Sequence, residues 1–522
     1  MSGPKENFEI NAALASQDQK THLEGAGTDL ENHSPADVEG DEALKILGNG
    51  GGVEFDADVN RRLLRKIDLH ILPVLCVLYG LQFLDKTTIS YASVMGIVKD
   101  THLHGTQYNW LGSVFYLGYL FAEYPANLAL QRLPIAKFLS SQIILWGAVL
   151  MLHAACSNFA GLAAMRILLG VFESSVSPGF ALIVSQWWRK EEQGFRTGIW
   201  FCWNGMGSIF GAVTSYAIAT SIKSHHYTAL KGWQLMYLMT GGLTVLCGIW
   251  FFLTIPDSPA NARFLTQEEK VMAVERIRSN QQGVGNKVFK KHQMIEALKD
   301  PASWMIFVYS VTTSIPNGAT TTFKNIILQG FGLSPELSLL YGAPSGAVQI
   351  VSTLTICWLA DRFKQRLFMA IFALVLPVLG FALLATLHKT NLNGQLVSFY
   401  MTSISAAAFT LVLSMISSNV AGQTKKVTVA TMMFIGYCIG NLIGPQVVHL
   451  KDAPRYLNAK IICCVLYGAC SLVLLALRFI WMFRNKQKER VIAELGDAYK
   501  HIPNQEFMDL TDGENKEFRY VL

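Results

Sequence analysis

The sequence predicts an all-α polytopic membrane protein, twelve transmembrane helices in two six-helix bundles, and three observations carry that prediction. The first is composition. Of 522 residues, 51% are hydrophobic and 15% charged, with a mean hydropathy of +0.31, outside the usual range of a soluble globular protein. The second is a set of apolar runs of about 20 residues, the length needed to cross a bilayer core. The third is a long polar segment that divides those runs six and six. A net charge of +6 does not point to nucleic acid, because the basic residues lie mainly in short segments between apolar runs, where Lys and Arg set topology. All nine cysteines fall within apolar runs, which leaves neither a disulfide framework nor a zinc spacing. Neither a metal nor a bound cofactor is expected.

Taken in order, residues 1–66 form a cytoplasmic tail with a basic flank. Its first 58 residues are polar, acidic and Gly-rich around Gly48 to Gly52, too poor in aromatic and branched residues to bury a core, and read as disordered. Arg61, Arg62, Arg65 and Lys66 then precede the first apolar run, which places the N-terminus in the cytoplasm. The first bundle, 67–255, holds spans near 69–91, 109–131, 138–156, 160–187, 197–220 and 233–255. A polar central loop, 256–300, follows, with a helical pattern around Thr266 to Arg278. The second bundle, 301–483, holds spans near 302–324, 336–360, 366–387, 394–417, 427–449 and 457–483, and a charged tail, 484–522, closes the chain. Alternate loops carry Arg132 and Lys137, Arg189, Lys190 and Arg196, then Arg362, Lys364 and Arg366, then Lys425 and Lys426, so both termini and the central loop are assigned to the cytoplasm.

Ionisable residues inside the spans mark a pathway. A charge at the centre of a membrane helix costs roughly 2.5 to 3.5 kcal/mol, so such a residue faces a partner or a watery cavity. Asp85 and Lys86 lie in the first span, within the stretch Leu78 to Tyr91. Arg166 and Glu173 lie seven residues apart in the fourth, on one helix face. Arg166 and Asp85 are expected at similar depth, and an ion pair between them is geometrically possible. An apolar cavity favours the neutral acid and a nearby cation favours the carboxylate, so substrate arrival and proton occupancy at Glu173 can be linked. Glu123, in the second span, is a further proton site or a packing contact. In the seventh span Asn317 and Gly318 follow Pro316, which frees backbone groups beside the hydroxyls of Thr320, Thr321 and Thr322. Asn441, between Gly440 and Gly444, faces the same cavity or packs against a helix. Lys324 and His153 are placed at the outer interface, Lys324 by snorkelling. Two features are decoys. Gly80 to Thr87 falls one residue short of a phosphate loop and has no strand before it, and the histidine pairs at His102/His104 and His225/His226 lack further ligands.

FLDKTTISYASVMGIVKD, GSVFYLGYLFAEYPANLALQRLPIAKFL, RILLGVFESSVSPGF and WWRKEEQGFRTGIWF in the first half resemble the fungal allantoate permease branch of the anion:cation symporters, within the major facilitators. PNGATTTF, LADRFKQR and GYCIGNLIGPQ in the second half agree, so the likeness spans nearly all of residues 67–483. It implies a secondary transporter of a small organic anion or vitamin, of carboxylate or sulfonate type, importing by alternating access with protons as the coupling ion. Lys86, Arg166, Asn317, Thr322 and Asn441 would then contact substrate, with Glu173, Asp85 and Glu123 handling the proton. The Arg166 and Glu173 spacing is similar to that of the animal organic-anion members, where the pair is tied to anion recognition and coupling. Asp361, Arg362 and Arg366 resemble the facilitator gating motif, a conformational role.

The expected partners are a small anion, protons and the lipid bilayer, with no nucleic acid, and the protein is expected to act as a monomer in the plasma membrane. Two other functions fit the same elements. A metabolite or toxin exporter of this fold typically carries a Gly-Pro run in the fifth span, where this chain reads WNGMGSIFG without the proline. A nutrient-sensing receptor without net transport would favour a large folded cytoplasmic domain, and neither tail offers one. An enzyme is disfavoured, since no nucleophile and base pairing is apparent.

Overall fold

The computed structural model describes residues 57–225, 230–281, 290–388, 390–495 and 510–522. Of the tail expected to be disordered, 1–58, residues 1–56 lie outside them, while Ala57 and Asp58 begin a helix. Among the described residues the chain is helical with no strand. The first bundle comprises α1 (Ala57–Val94), α2 (Gln107–Arg132), α3 (Ile135–Leu152), α4 (Phe159–Glu173) continued by α5 (Val176–Trp187), α6 (Lys190–His225) and α7 (Gly232–Thr254). The central loop contributes α8 (Gln267–Gln281), where a helical pattern was expected, and α9 (Lys291–Lys299). The second bundle comprises α10 (Pro301–Gln329), α11 (Pro335–Leu340) continued by α12 (Ala343–Phe363), α13 (Arg366–Thr386), α14 (Leu392–Thr402) continued by α15 (Ser405–Asn419), α16 (Gln423–Ile443) and α17 (Leu457–Leu495). Six spans per bundle result.

Nine of these spans are long and apolar enough to cross a membrane by length and composition, among the described residues. The other three, α2, α6 and α10, run 26, 36 and 29 residues and are more polar. They line the seam between the bundles. There α6 packs on α12, α2 on α16 and α10 on α1, so Asn109, Ser113, Ser208, Ser310 and Thr322 meet protein rather than lipid. Within the bundles the pairings repeat: α1 on α6, α2 on α4 and α3 on α7 correspond to α10 on α16, α12 on α15 and α13 on α17.

Small residues let these pairs close. A Cβ on Gly207 would lie 2.1 Å from Gly80 O, and one on Gly444 would lie 2.4 Å from Ile315 O. The contact that matters most for the site is Gly170 of α4, where a Cβ would lie 2.1 Å from Phe115 O on α2.

The fourth span breaks between Glu173 and Val176 for a local reason. Pro178 has no N–H to return to the Ser174 carbonyl, and Ser174 and Ser175 turn their hydroxyls back on Val171 O (2.8 Å) and Phe172 O (3.4 Å). The tenth span also breaks, between α14 and α15, there without a proline.

Both described ends and the central loop share one face of the molecule, here the tail face. The opposite, far face is where the bundles lock together. Asn109 Nδ2 donates to Pro445 O and Val448 O (both 2.6 Å), Tyr108 Oη to Thr322 O (2.8 Å), Ser113 Oγ to Leu442 O (2.6 Å), and Lys223 pairs with Glu336 at 2.8 Å. On the tail face the first bundle is fastened by Asp68, which pairs with Arg196 at 2.9 Å and accepts from Trp188 Nε1 at 2.7 Å. The second is fastened by its own C-terminus. Residues 510–522, expected only as a charged tail, return to the bundle through reciprocal amide bonds of Asn419 with Val521 and Asn485 with Tyr520, and through a Lys425–Asp512 pair at 2.7 Å. Asp300 caps α10 beside Arg484 (2.5 Å). Burial pushes its carboxyl up, but the Arg484 guanidinium, the Ala302 N–H and Lys425 together outweigh burial and hold it below the ordinary aspartate value.

Gly170→Ala should separate α4 from α2, while Gly242→Ala, where a Cβ meets nothing within 4 Å, should not disturb packing. The expected cost of the first is about 1–3 kcal/mol, seen as a lower melting temperature of the detergent-purified protein than that of the second. Equal melting temperatures would contradict the packing described.

Candidate functional site

Asp85 and Lys86 are consecutive on α1, so their side chains leave the helix about 100° apart and go to different places. Lys86 enters the seam between α2 and α4. Its Nζ lies 2.9 Å from Glu173 Oε1 and over the rings of Phe115 and Tyr119, 5.8 and 5.9 Å from their centroids. Glu173 is fully buried at the last residue of α4, and among the described residues neither of its oxygens completes a well-aligned hydrogen bond. The lysine charge is therefore what balances it. Gln82, one turn back on α1, lies beside the same carboxylate.

Asp85 points the other way, between α3 and α7. Its Oδ2 accepts from Thr244 Oγ1 at 3.3 Å, Trp146 stands beside it, and Oδ1 has no hydrogen-bond partner among the described residues. The Asp85–Arg166 ion pair that similar depth made possible does not form. Arg166 donates instead from Nη2 to Tyr237 Oη on α7, at 2.9 Å. The Tyr237 ring stacks on His153, centroids 4.9 Å apart and planes within 8°. His153 is thus not interfacial. The chain leaves α3 in a 3-10 turn, His153–Ala155, that carries the imidazole inward, where it is 0% exposed with Nδ1 2.9 Å from Val149 O.

Lys86 and Arg166 share a small cavity, about one water molecule in size, with Phe115 and Tyr116 of α2 and Thr321 and Thr322 of α10. It lies between the bundles, directly under the far-face lock. Of the residues singled out from sequence, the structure brings Lys86, Arg166 and Thr322 together here, with Glu173 immediately behind Lys86.

The others lie apart. Asn317 is half-buried, and its carbonyl accepts from Thr320 (3.1 Å) and Thr321 (2.7 Å). The expected opening of the backbone at Pro316 is not seen, because α10 runs through it unbroken while Thr320 and Thr321 turn their protons to their own helix. Asn441 is buried, donates to Tyr437 O at 2.9 Å, and sits against Gly318, where a Cβ would lie 3.2 Å from its Oδ1. That is a packing position between α10 and α16. Glu123 is half-buried on α2, one turn beyond Tyr119 toward the tail face. Asp361 and Arg366 pair at 3.3 Å on the tail face, where Arg366 also donates to Ser418 Oγ at 2.9 Å, and Arg362 is exposed nearby.

Sequence reasoning passed over Tyr237 and the aromatic wall of α2. Only the last left a trace, in the spacing of Phe115, Tyr116 and Tyr119. Lys324 was misplaced. It does not snorkel but is 8% exposed, and its Nζ donates to Ser208 Oγ of α6 at 2.7 Å across the seam.

Removing one member of the Lys86–Glu173 pair strands the other. Lys86→Met and Glu173→Gln should each lower stability by about 3 kcal/mol, the low end for breaking a buried pair because Lys86 keeps some solvent contact. The double variant should lose far less than their sum, read as melting temperatures in a double-mutant cycle. Additive losses would mean that the two groups do not interact.

The sequence profile described as Major Facilitator Superfamily matches residues 75–445. The chain is 40% identical to the allantoate permease of Saccharomyces cerevisiae, covering 92% of this chain and 90% of that protein. It is 35% identical to a thiamine pathway transporter of the same yeast, covering 91% and 89%. Among solved structures, the xylose transporter XylE from E. coli superposes with a TM-score of 0.60 at 15% identity, covering 78% of this chain and 98% of that one. A bacterial homologue of the human lysosomal transporter Spinster gives the same TM-score and identity over 78% of this chain and 96% of its own.

Proposed function

The chain belongs to the Major Facilitator Superfamily, as a multi-pass membrane transporter of small molecules and not an enzyme, and from that premise we propose that it imports a small organic anion together with a proton. The observation that carries this reading is the single cation at Lys86 with two claimants. Its Nζ is held by Glu173 at 2.9 Å, yet it lines the same cavity as Arg166, where an anion would compete for it.

The cycle follows from that competition. An anion arriving beside Lys86 and Arg166 draws the ammonium away from Glu173, which leaves a carboxylate in an apolar wall without a counter-charge. Glu173 then takes a proton, and the loaded site carries the same net charge as the empty one. When the anion leaves, Lys86 returns to Glu173 and the proton is expelled. Aromatic rings at Phe115 and Tyr119 keep the lysine close to the acid throughout. Arg166, anchored by Tyr237, supplies a fixed positive charge that needs no rearrangement.

The direction rests on charge. Arg132, Lys137, Arg189, Arg196, Lys364, Arg366, Lys425 and Lys426 all fall at helix ends on the tail face, which supports placing that face, with both described ends, in the cytoplasm. The far-face lock then makes this the state that has closed to the outside. The resemblance to a permease for allantoate supports a carboxylate substrate and residence in the plasma membrane.

Radiolabelled allantoate is the probe of choice. Wild type should accumulate it against its gradient when the outside is acidified, and lose accumulation when the proton gradient is collapsed. Glu173→Gln should abolish that accumulation while retaining counterflow of internal for external anion, whereas Arg166→Ala should impair both. Accumulation by Glu173→Gln at the wild-type level would place the coupling proton elsewhere, with Glu123 and Asp85 the next acids to examine.

A further inference from the structure

Lys324 is a buried cation that the cycle above does not use. It sits on α10 where α6 and α12 converge near the far face, with its Cε against Gly342 and its Nζ 2.7 Å from Ser208 Oγ. Among the described residues no carboxylate lies within 4.0 Å of it. A charge confined this way with one neutral partner is costly, and separation of α10 from α6 relieves the cost by giving it water or an anion. The neighbouring Asn325 Oδ1 is also buried, with no hydrogen-bond partner among the described residues, while Asn325 Nδ2 reaches Ser90 Oγ of α1 at 3.3 Å across the same seam.

The position along α10 gives this lysine a place in the path. Thr321, three residues earlier, lines the cavity that holds Lys86 and Arg166. Three residues correspond to a rise of about 4.5 Å on the same helix face. Lys324 therefore stands roughly one turn above the central cavity on the far-face side, level with the lock, whose Tyr108 bonds to the carbonyl of Thr322 two residues before it.

We propose that Lys324 is an anion-capture site of the far-face entrance: sealed onto Ser208 in the closed state, it is uncovered when the bundles part there, and it holds a carboxylate or sulfonate before handing it to Lys86 and Arg166. The inference rests on the anion reading for the identity of the natural ligand. Its chemistry is that of one ammonium and the hydroxyls of Thr321 and Ser208, which suits a small singly charged organic anion with further polar groups. A polyanion would demand more cations than the seam offers.

The test does not require the substrate to be known. Ser208→Cys in the full-length protein is treated in intact cells with membrane-impermeant methanethiosulfonates bearing either a sulfonate or a trimethylammonium group, and modification at position 208 is followed by mass spectrometry. The ratio of anionic to cationic reactivity should exceed that of a small thiol in solution by about tenfold, the lower end of what a focused charge achieves. Lys324→Gln in that background should remove the excess, and Lys324→Arg should keep it. A ratio no higher than that of the free thiol overturns the proposal without relying on any lysine variant. So does failure of both reagents to reach the introduced thiol from outside, or an excess that survives in Lys324→Gln. A wild-type protein that carries no allantoate while the labelling excess is present would count against the substrate reading alone.

Discussion

A lysine held between a buried glutamate and a cavity is the interaction on which the rest of this structure depends. Lys86 cannot be left alone in an apolar seam, and Glu173 cannot be left without it. The surrounding architecture serves that requirement. Glu173 is placed by a break in the fourth span that Pro178 and two serines enforce, and α2 is brought close enough to roof the lysine because Gly170 lets Phe115 approach. Arg166, one turn above Gly170, is tied off to Tyr237 and so does not compete for Glu173.

Exchange of one cation between an internal acid and an external anion needs few moving parts. In the proposed cycle the small displacement of an ammonium would link substrate to proton, and the large displacement of the bundles would have to release the far-face contacts of Tyr108, Asn109 and Ser113. The two meet at α10, whose Thr322 both accepts from Tyr108 through its carbonyl and lines the cavity. Occupancy of the cavity can thereby bear directly on whether the lock holds, which is the differential contact that any two-state carrier requires.

Much of this was legible in the chain. Charges in apolar runs must face protein or water, so Lys86, Arg166 and Glu173 stood out before any geometry was known, and run length placed all twelve spans. What hydropathy does not encode is the rotation of each helix. Adjacent residues on α1 diverge by about 100°, which is why Asp85 went to Thr244 and not to Arg166. Lys324 and His153 were assigned to the interface because they sit near helix ends, and burial of those ends by α6, α12 and α7 is a tertiary fact. Asn441 beside two glycines suited a cavity or a packed seam equally well until Gly318 was seen against it. The return of residues 510–522 to the bundle left no periodic signal, since it depends on the side-chain amides of Asn419 and Asn485, the Lys425–Asp512 pair and one ring, Tyr520 on Trp481, rather than on a repeating apolar pattern.

The central claim is that anion and proton meet at one lysine, and the most direct measurement is the proton inventory of anion binding. Calorimetric titration of the purified wild-type protein with allantoate, in buffers of different ionisation enthalpy at one pH, reports protons taken up per anion bound. The account predicts uptake of about one proton per site at a pH where the empty carrier holds Glu173 ionised, and none for Glu173→Gln, which should still bind. Binding by wild type with no proton uptake, or undiminished uptake in Glu173→Gln, would contradict it.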